Sequence, residues 1–207
     1  MHKAREIEMS VYVESENAAE LAAPVESYDR VMKTVHWVSL LLVAAAYGAV
    51  WASHAMSSKQ LHVLLVELHR SLGVTVFALT VFRLVWRRRA RIPSLPADVP
   101  SLQKLAARAT EGILYALLLA QPMLGILHTN AQGRRVNFYF LGELPAVVGR
   151  NEVLAHQAIA AHDVVSYLLL TVIAMHAAAA LFHHFVRRDN VLNAMLPARR
   201  RPRLGAH

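Results

Sequence analysis

Four of the chain's twelve histidines, His36, His69, His162 and His176, fall inside long apolar runs. An imidazole in lipid is expensive and is usually retained for a purpose. A neutral imidazole offers one ring nitrogen to a metal and the other to a hydrogen-bond acceptor. The competing reading for any one of them is a hydrogen-bonded structural residue. Four of them, with informative spacing, are harder to explain that way. His162 and His176 are fourteen residues apart. On a helix that separation is roughly 40° in azimuth and roughly 21 Å along the axis, so both lie on one face at two depths. One ion cannot bridge them, because metal–imidazole bonds are about 2 Å long. Each therefore needs a partner on another element.

The elements that must position them are legible as four apolar stretches, at about residues 35–53, 61–86, 109–127 and 154–186. Each reaches the ~20 residues that a bilayer crossing requires. All four are predicted to be helices, since an open sheet leaves its backbone unsatisfied in lipid. No signal peptide is legible ahead of the first run, which is expected to stay in the mature protein. Lys/Arg counting sets the expected orientation. Arg87, Arg88, Arg89, Arg91, Lys104 and Arg108 lie between the second and third runs, and Arg187, Arg188, Arg199, Arg200, Arg201 and Arg203 follow the fourth. The other two connections carry only Lys59, and Arg134, Arg135 and Arg150. Both termini and the Pro-rich central loop (Pro93, Pro96, Pro100) are thus expected in the cytoplasm. The chain divides into a mobile acidic arm (1–28), a four-span domain (29–197) and a basic tail (198–207).

With that orientation His36 and His176 lie at the inner level, and His69 and His162 at the outer. Two facing pairs at two depths in an all-α bundle is the arrangement that holds two b-type haems. Gly48, Gly73, Gly125 and Ala177 to Ala180 offer the shallow surface a porphyrin needs, although small residues are also the norm for helix contact in membranes. Arg83 is a candidate partner for an inner haem propionate, with a snorkelling boundary Arg as the alternative. His62, two turns outward of His69, is a minor rival ligand. His54, His128 and His156 lie near the outer ends of the runs.

Composition agrees. Apolar residues make up 56% and charged residues only 17%, yet the net charge is +8, from 22 Lys+Arg against 14 Asp+Glu. That excludes a disordered chain and fits a membrane protein whose cations stay outside the lipid. The absence of cysteine excludes disulfides, thiolate metal sites, iron–sulfur clusters and cysteine nucleophiles. Gly-rich phosphate loops are absent as well.

The sequence resembles the bacterial diheme cytochrome b561 family over about residues 29–197. The resemblance rests on Thr34-Val-His36-Trp37, His69-Arg-Ser71-Leu-Gly73, Pro122-Met-Leu-Gly125, and His176-Ala-Ala-Ala-Ala-Leu-Phe-His183-His184 followed by Asp189-Asn190. It implies a four-helix inner-membrane protein in lipid, with His36, His69, His162 and His176 as axial ligands of two b haems. Ala161 stands where the family often has Trp before the third ligand. By resemblance to the superoxide-oxidising members, superoxide outside is the electron donor and ubiquinone near the inner haem the acceptor. His183 and His184 are then candidates for a quinone site that also delivers protons, with interfacial His meeting lipid phosphate as the alternative. Arg134 and Arg135, with Lys59 and Arg150, are candidates for steering the anion. Nothing suggests a nucleic-acid partner. Two rivals stand beside this reading. One is a cytochrome b subunit that links a separate periplasmic dehydrogenase or hydrogenase to the quinone pool. The other is a haem-free, His-lined metal or proton transporter, disfavoured by the ~21 Å between ligands on one helix.

Overall fold

The computed structural model describes residues 27–90, 92–93, 99–139 and 141–196. Most of the expected N-terminal arm and the whole of the basic tail lie outside the described residues. Among the described residues the chain is all-helical: α1 Arg30–Ala55, α2 Lys59–Arg87, α3 Ser101–Ala131 and α4 Glu152–Phe182, the last continued by a π-helical turn His183–Arg187. All four helices are long and apolar enough to cross a membrane. Each outruns its apolar stretch at one or both ends, and in α1, α2 and α4 a polar cap outside that stretch starts the helix. Asp29 accepts from the Met32 N–H at 2.7 Å, Ser58 from Leu61 at 3.5 Å and Asn151 from Leu154 at 3.0 Å, which satisfies donors that every helix start leaves orphaned. α3 begins after Pro100, eight residues ahead of its expected start, because 101–108 is a polar helical turn pair that extends beyond the apolar run.

α1 packs along α2, α2 along α3, and α3 along α4. No Cα of α4 comes within 8 Å of a Cα in α1 or α2. α4 therefore faces the α1–α2 pair across a separation that only side chains span. One such bridge is Tyr47 of α1, whose hydroxyl donates to the Ser166 carbonyl of α4 at 2.6 Å. The outward faces carry exposed Leu41, Trp51, Leu64, Val164, Leu168 and Met175, as expected of surfaces whose solvent is lipid.

The ends are tied by backbone bonds. The α1–α2 connection is only three residues, 56–58. The α3–α4 connection, 132–151, is held from within by buried Asn130. Its amide donates to the Arg134 carbonyl at 3.0 Å and its oxygen accepts from the Val147 N–H at 2.9 Å. At the opposite end the chain reverses after α4 through Arg188, at φ 56°. Residues 189–196 then return beneath α1, where Met195 accepts from the Trp37 indole at 3.0 Å and Ala194 from the Tyr28 N–H at 3.2 Å.

Candidate functional site

The four intramembrane histidines meet in two pairs across the separation around α4. His36 of α1 faces His176 of α4 with ring centroids 6.4 Å apart, and His69 of α2 faces His162 of α4 at 6.1 Å. Two imidazoles sharing one metal ion, with bonds of about 2 Å and about 1.1 Å from each nitrogen to its ring centre, need centroids about 6.2 Å apart. Both pairs fit an ion between them.

The outer pair is also set in the right tautomer. A ligating imidazole needs a lone pair on the nitrogen that faces the metal and its proton on the other. His69 Nδ1 donates to the Ala46 carbonyl at 2.8 Å, and His162 Nδ1 to the Gln121 carbonyl at 3.1 Å. Each contact holds the proton on Nδ1 and leaves Nε2 with its lone pair. A second contact agrees: the Gln121 side-chain amide donates to His162 Nε2 at 3.0 Å. The His162 ring lies against Gly125, where an added Cβ would sit 3.3 Å from Cε1. The glycine is thus a seat for the ligand ring. Gly73 instead meets Pro122 across the α2–α3 contact, and Gly48 has no neighbour within 4 Å. Among the small residues beside His176, Ala177 to Ala179 are exposed and His176 is itself exposed, which makes that stretch of α4 a shallow surface.

Arg83 approaches the inner pair. Its Nη1 lies 3.3 Å from His36 Nδ1, and its guanidinium carbon is 5.4 Å from the centre of the Tyr115 ring. Three of the remaining outer-end histidines serve the backbone. His62 Nδ1 donates to the Ser53 carbonyl at 3.0 Å and His128 Nδ1 to Ala155 at 2.9 Å, while His156 bonds within its own helix to Glu152 at 2.8 Å. The rival position, His62, therefore clasps the end of α1. His183 and His184 sit on the π-helical turn. His183 Nδ1 donates to the Asp189 carboxylate at 2.5 Å, whereas His184 stacks edge-on against Phe185. Of the outer cations, Arg135 leans on Glu143 at 3.4 Å and Arg150 on Glu152 at 2.8 Å, while Arg134 donates to the neutral Gln132 amide and keeps its charge.

Sequence reasoning missed Gln121, Ser71 and Glu67. Ser71, two residues after His69, donates to the Asn137 carbonyl at 3.1 Å and accepts from the Tyr139 N–H at 2.9 Å, which latches the 132–151 connection onto α2. Glu67 pairs with Arg70 and accepts from Asn137 at 3.4 Å. The His69-Arg-Ser71 run held that signal, because a carboxylate and a hydroxyl flanking a buried ligand are themselves costly in lipid.

Four helices long and apolar enough to cross a membrane, with two facing imidazole pairs between them, define a multi-pass helical membrane protein. The comparisons give the family: the description "Prokaryotic cytochrome b561" matches residues 27–198, and the chain belongs to that family of b-type haem electron-transfer proteins. It is similar to "Cytochrome b561 homolog 1" of Escherichia coli (strain K12), 33% identical over 170 residues, covering 80% of this chain and 94% of the relative. It is also similar to "Cytochrome b561 homolog 2" of the same strain, 30% identical over 173 residues and covering 83% and 92%. A third relative is "Probable superoxide oxidase CybB" of Yersinia pestis, 29% identical over 168 residues, covering 80% and 93%.

Proposed function

We propose that the chain carries single electrons across the bacterial inner membrane, oxidising superoxide on the outer face and reducing ubiquinone towards the inner face. The observation that carries this reading is the two imidazole pairs, at 6.4 and 6.1 Å, bridging helices whose backbones stay apart. His36 and His176 would hold the inner b haem, and His69 and His162 the outer. When bound, the two haems would supply one-electron redox chemistry at two depths. The Ala46 and Gln121 carbonyls keep the outer ligands protonated on Nδ1 and aimed by Nε2. Arg134, which pairs with no carboxylate among the described residues, contributes to the field that draws an anion to the outer face. His183, bonded to Asp189, and His184 are the groups placed to pass protons to a quinone headgroup at the cytoplasmic end. The superoxide assignment draws further support from the Yersinia pestis relative's name.

The test is superoxide-dependent reduction of ubiquinone by purified protein carrying two haems per chain. Superoxide decay no faster than spontaneous dismutation would remove this donor. The subunit reading would then be left, with a protein donor at the outer face. Exposed Leu141 and Val147 on the 132–151 connection are the surface that favours such a docking.

A further inference from the structure

Two rungs join α2 to α3 at the inner end, one turn apart on each helix. In the first, Arg87 pairs with Glu111. In the second, Arg83 stands four residues before Arg87 and Tyr115 four residues after Glu111, so the same seam repeats with a phenol in place of the carboxylate. The guanidinium lies over the Tyr115 ring, 5.4 Å from its centre. Among the described residues Arg83 makes no ion pair and its Nε is buried without a hydrogen-bond partner, while the Tyr115 hydroxyl, buried beside the Arg87 guanidinium, finds no acceptor. A buried guanidinium nitrogen without an acceptor is costly, as is a buried hydroxyl without one. One anionic, oxygen-rich group would satisfy both.

The remaining contact of Arg83 points the same way. Its Nη1 lies 3.3 Å from His36 Nδ1. Guanidinium only donates, so this contact requires a lone pair on Nδ1. A metal on Nε2 requires the proton on Nδ1 instead. A ligating His36 therefore cannot accept from Arg83, and the guanidinium must take its acceptor elsewhere, within reach of the same inner pair.

We infer that Arg83 and Tyr115 together form a carboxylate anchor for a propionate of the inner haem, with Tyr115 the second donor and the Arg87–Glu111 rung fixing the seam beside it. This rests on the two-haem reading. A neutral quinone carbonyl would satisfy the Tyr115 hydroxyl, but it would leave the buried cation uncompensated, so the anion is the better match.

The experiment compares wild type, Arg83→Gln, Arg83→Lys and Tyr115→Phe, purified with haem and without added quinone. Haem content and both midpoint potentials are measured, and the inner midpoint is identified as the one that the His36→Ala variant lacks. Removing the cation leaves the carboxylate uncompensated beside the iron and favours the ferric state. Arg83→Gln should therefore lower the inner midpoint alone and weaken inner-haem retention by on the order of tenfold. Tyr115→Phe, which preserves shape, should lower the same midpoint by less, and Arg83→Lys should restore most of the potential. Unmoved midpoints with full haem content in Arg83→Gln and Tyr115→Phe would overturn the anchor while leaving the two-haem reading intact. Effects that appear only after ubiquinone is added would overturn it in favour of a quinone occupant. A wild-type protein without haem would instead sink the reading on which the anchor rests.

Discussion

At the residue scale, what sets the four intramembrane histidines apart from the others is a second imidazole facing each of them. His69 and His162 both spend Nδ1 on a carbonyl of a neighbouring helix, and each faces another imidazole. His62 and His128 also spend Nδ1 on a carbonyl, but neither makes an imidazole pair. Replacing either member of one pair by Ala should remove one haem and spare the other. The pyridine haemochrome yield should fall from two per chain to about one, with His69→Ala and His162→Ala losing the same spectral component and His36→Ala and His176→Ala the other. Gly125→Ala tests the seat of His162. Its new methyl would lie 3.3 Å from the ring, so the imidazole must shift by a few tenths of an ångström. The outer haem should then be released severalfold faster, measured by transfer to apomyoglobin, while the inner haem is unaffected.

At the element scale, the ends of the helices are held by a few side chains that span connections. Ser71 binds the 132–151 connection twice. Ser71→Ala should cost about 1 kcal/mol per lost bond and raise the rate of proteolytic cutting within that connection, while haem content stays at the wild-type level. The reversal after α4 depends on Asp189. Burial pushes its carboxyl up, but the hydrogen bond from His183, the Val191 N–H and the charges of His183 and Arg187 outweigh this and hold it below its ordinary 3.8. A carboxylate depressed in the folded state stabilises that state fully above its unfolded value and loses the contribution as pH falls through the folded one. The docking of 189–196 beneath α1 should therefore be constant from neutrality down to about pH 4 and weaken only in stronger acid. The reporter is Trp37 fluorescence, since its indole is bonded to Met195. Asp189→Asn should shift that emission already at neutral pH.

At the scale of the whole molecule, the order of packing matters more than the helices themselves. α1, α2 and α3 pack in succession, while α4 touches only α3 at the backbone level and reaches the other two through imidazoles and Tyr47. On the proposed two-haem reading, this would separate the redox centres by depth and leave charge to act at the faces. If superoxide is the donor, its consumption rate should fall as ionic strength rises, because the screening length shrinks to about 10 Å at 0.1 M salt. Arg134→Glu should lower the second-order rate severalfold at low salt and flatten that dependence, measured by pulse radiolysis.

The linear chain already specified four apolar helices and the place of each intramembrane histidine along its helix, because both follow from local properties: hydropathy over some 20 residues and the rise per residue of a helix. His162 and His176 share a face for the same reason. Helix ends were less legible, since the caps Asp29, Ser58 and Asn151 lie outside the apolar windows. Depth says nothing about lateral neighbours. Only the tertiary structure decided that Ala46 and Gln121 set the outer tautomers, that Gly125 rather than Gly73 seats a ligand, that His183 is taken up by Asp189, and that Arg83 finds Tyr115 where Arg87 finds Glu111. Each of these contacts depends on how the helices are turned and ordered beside one another. That is settled by the packing of all four at once, beyond the reach of any single repeat along the chain.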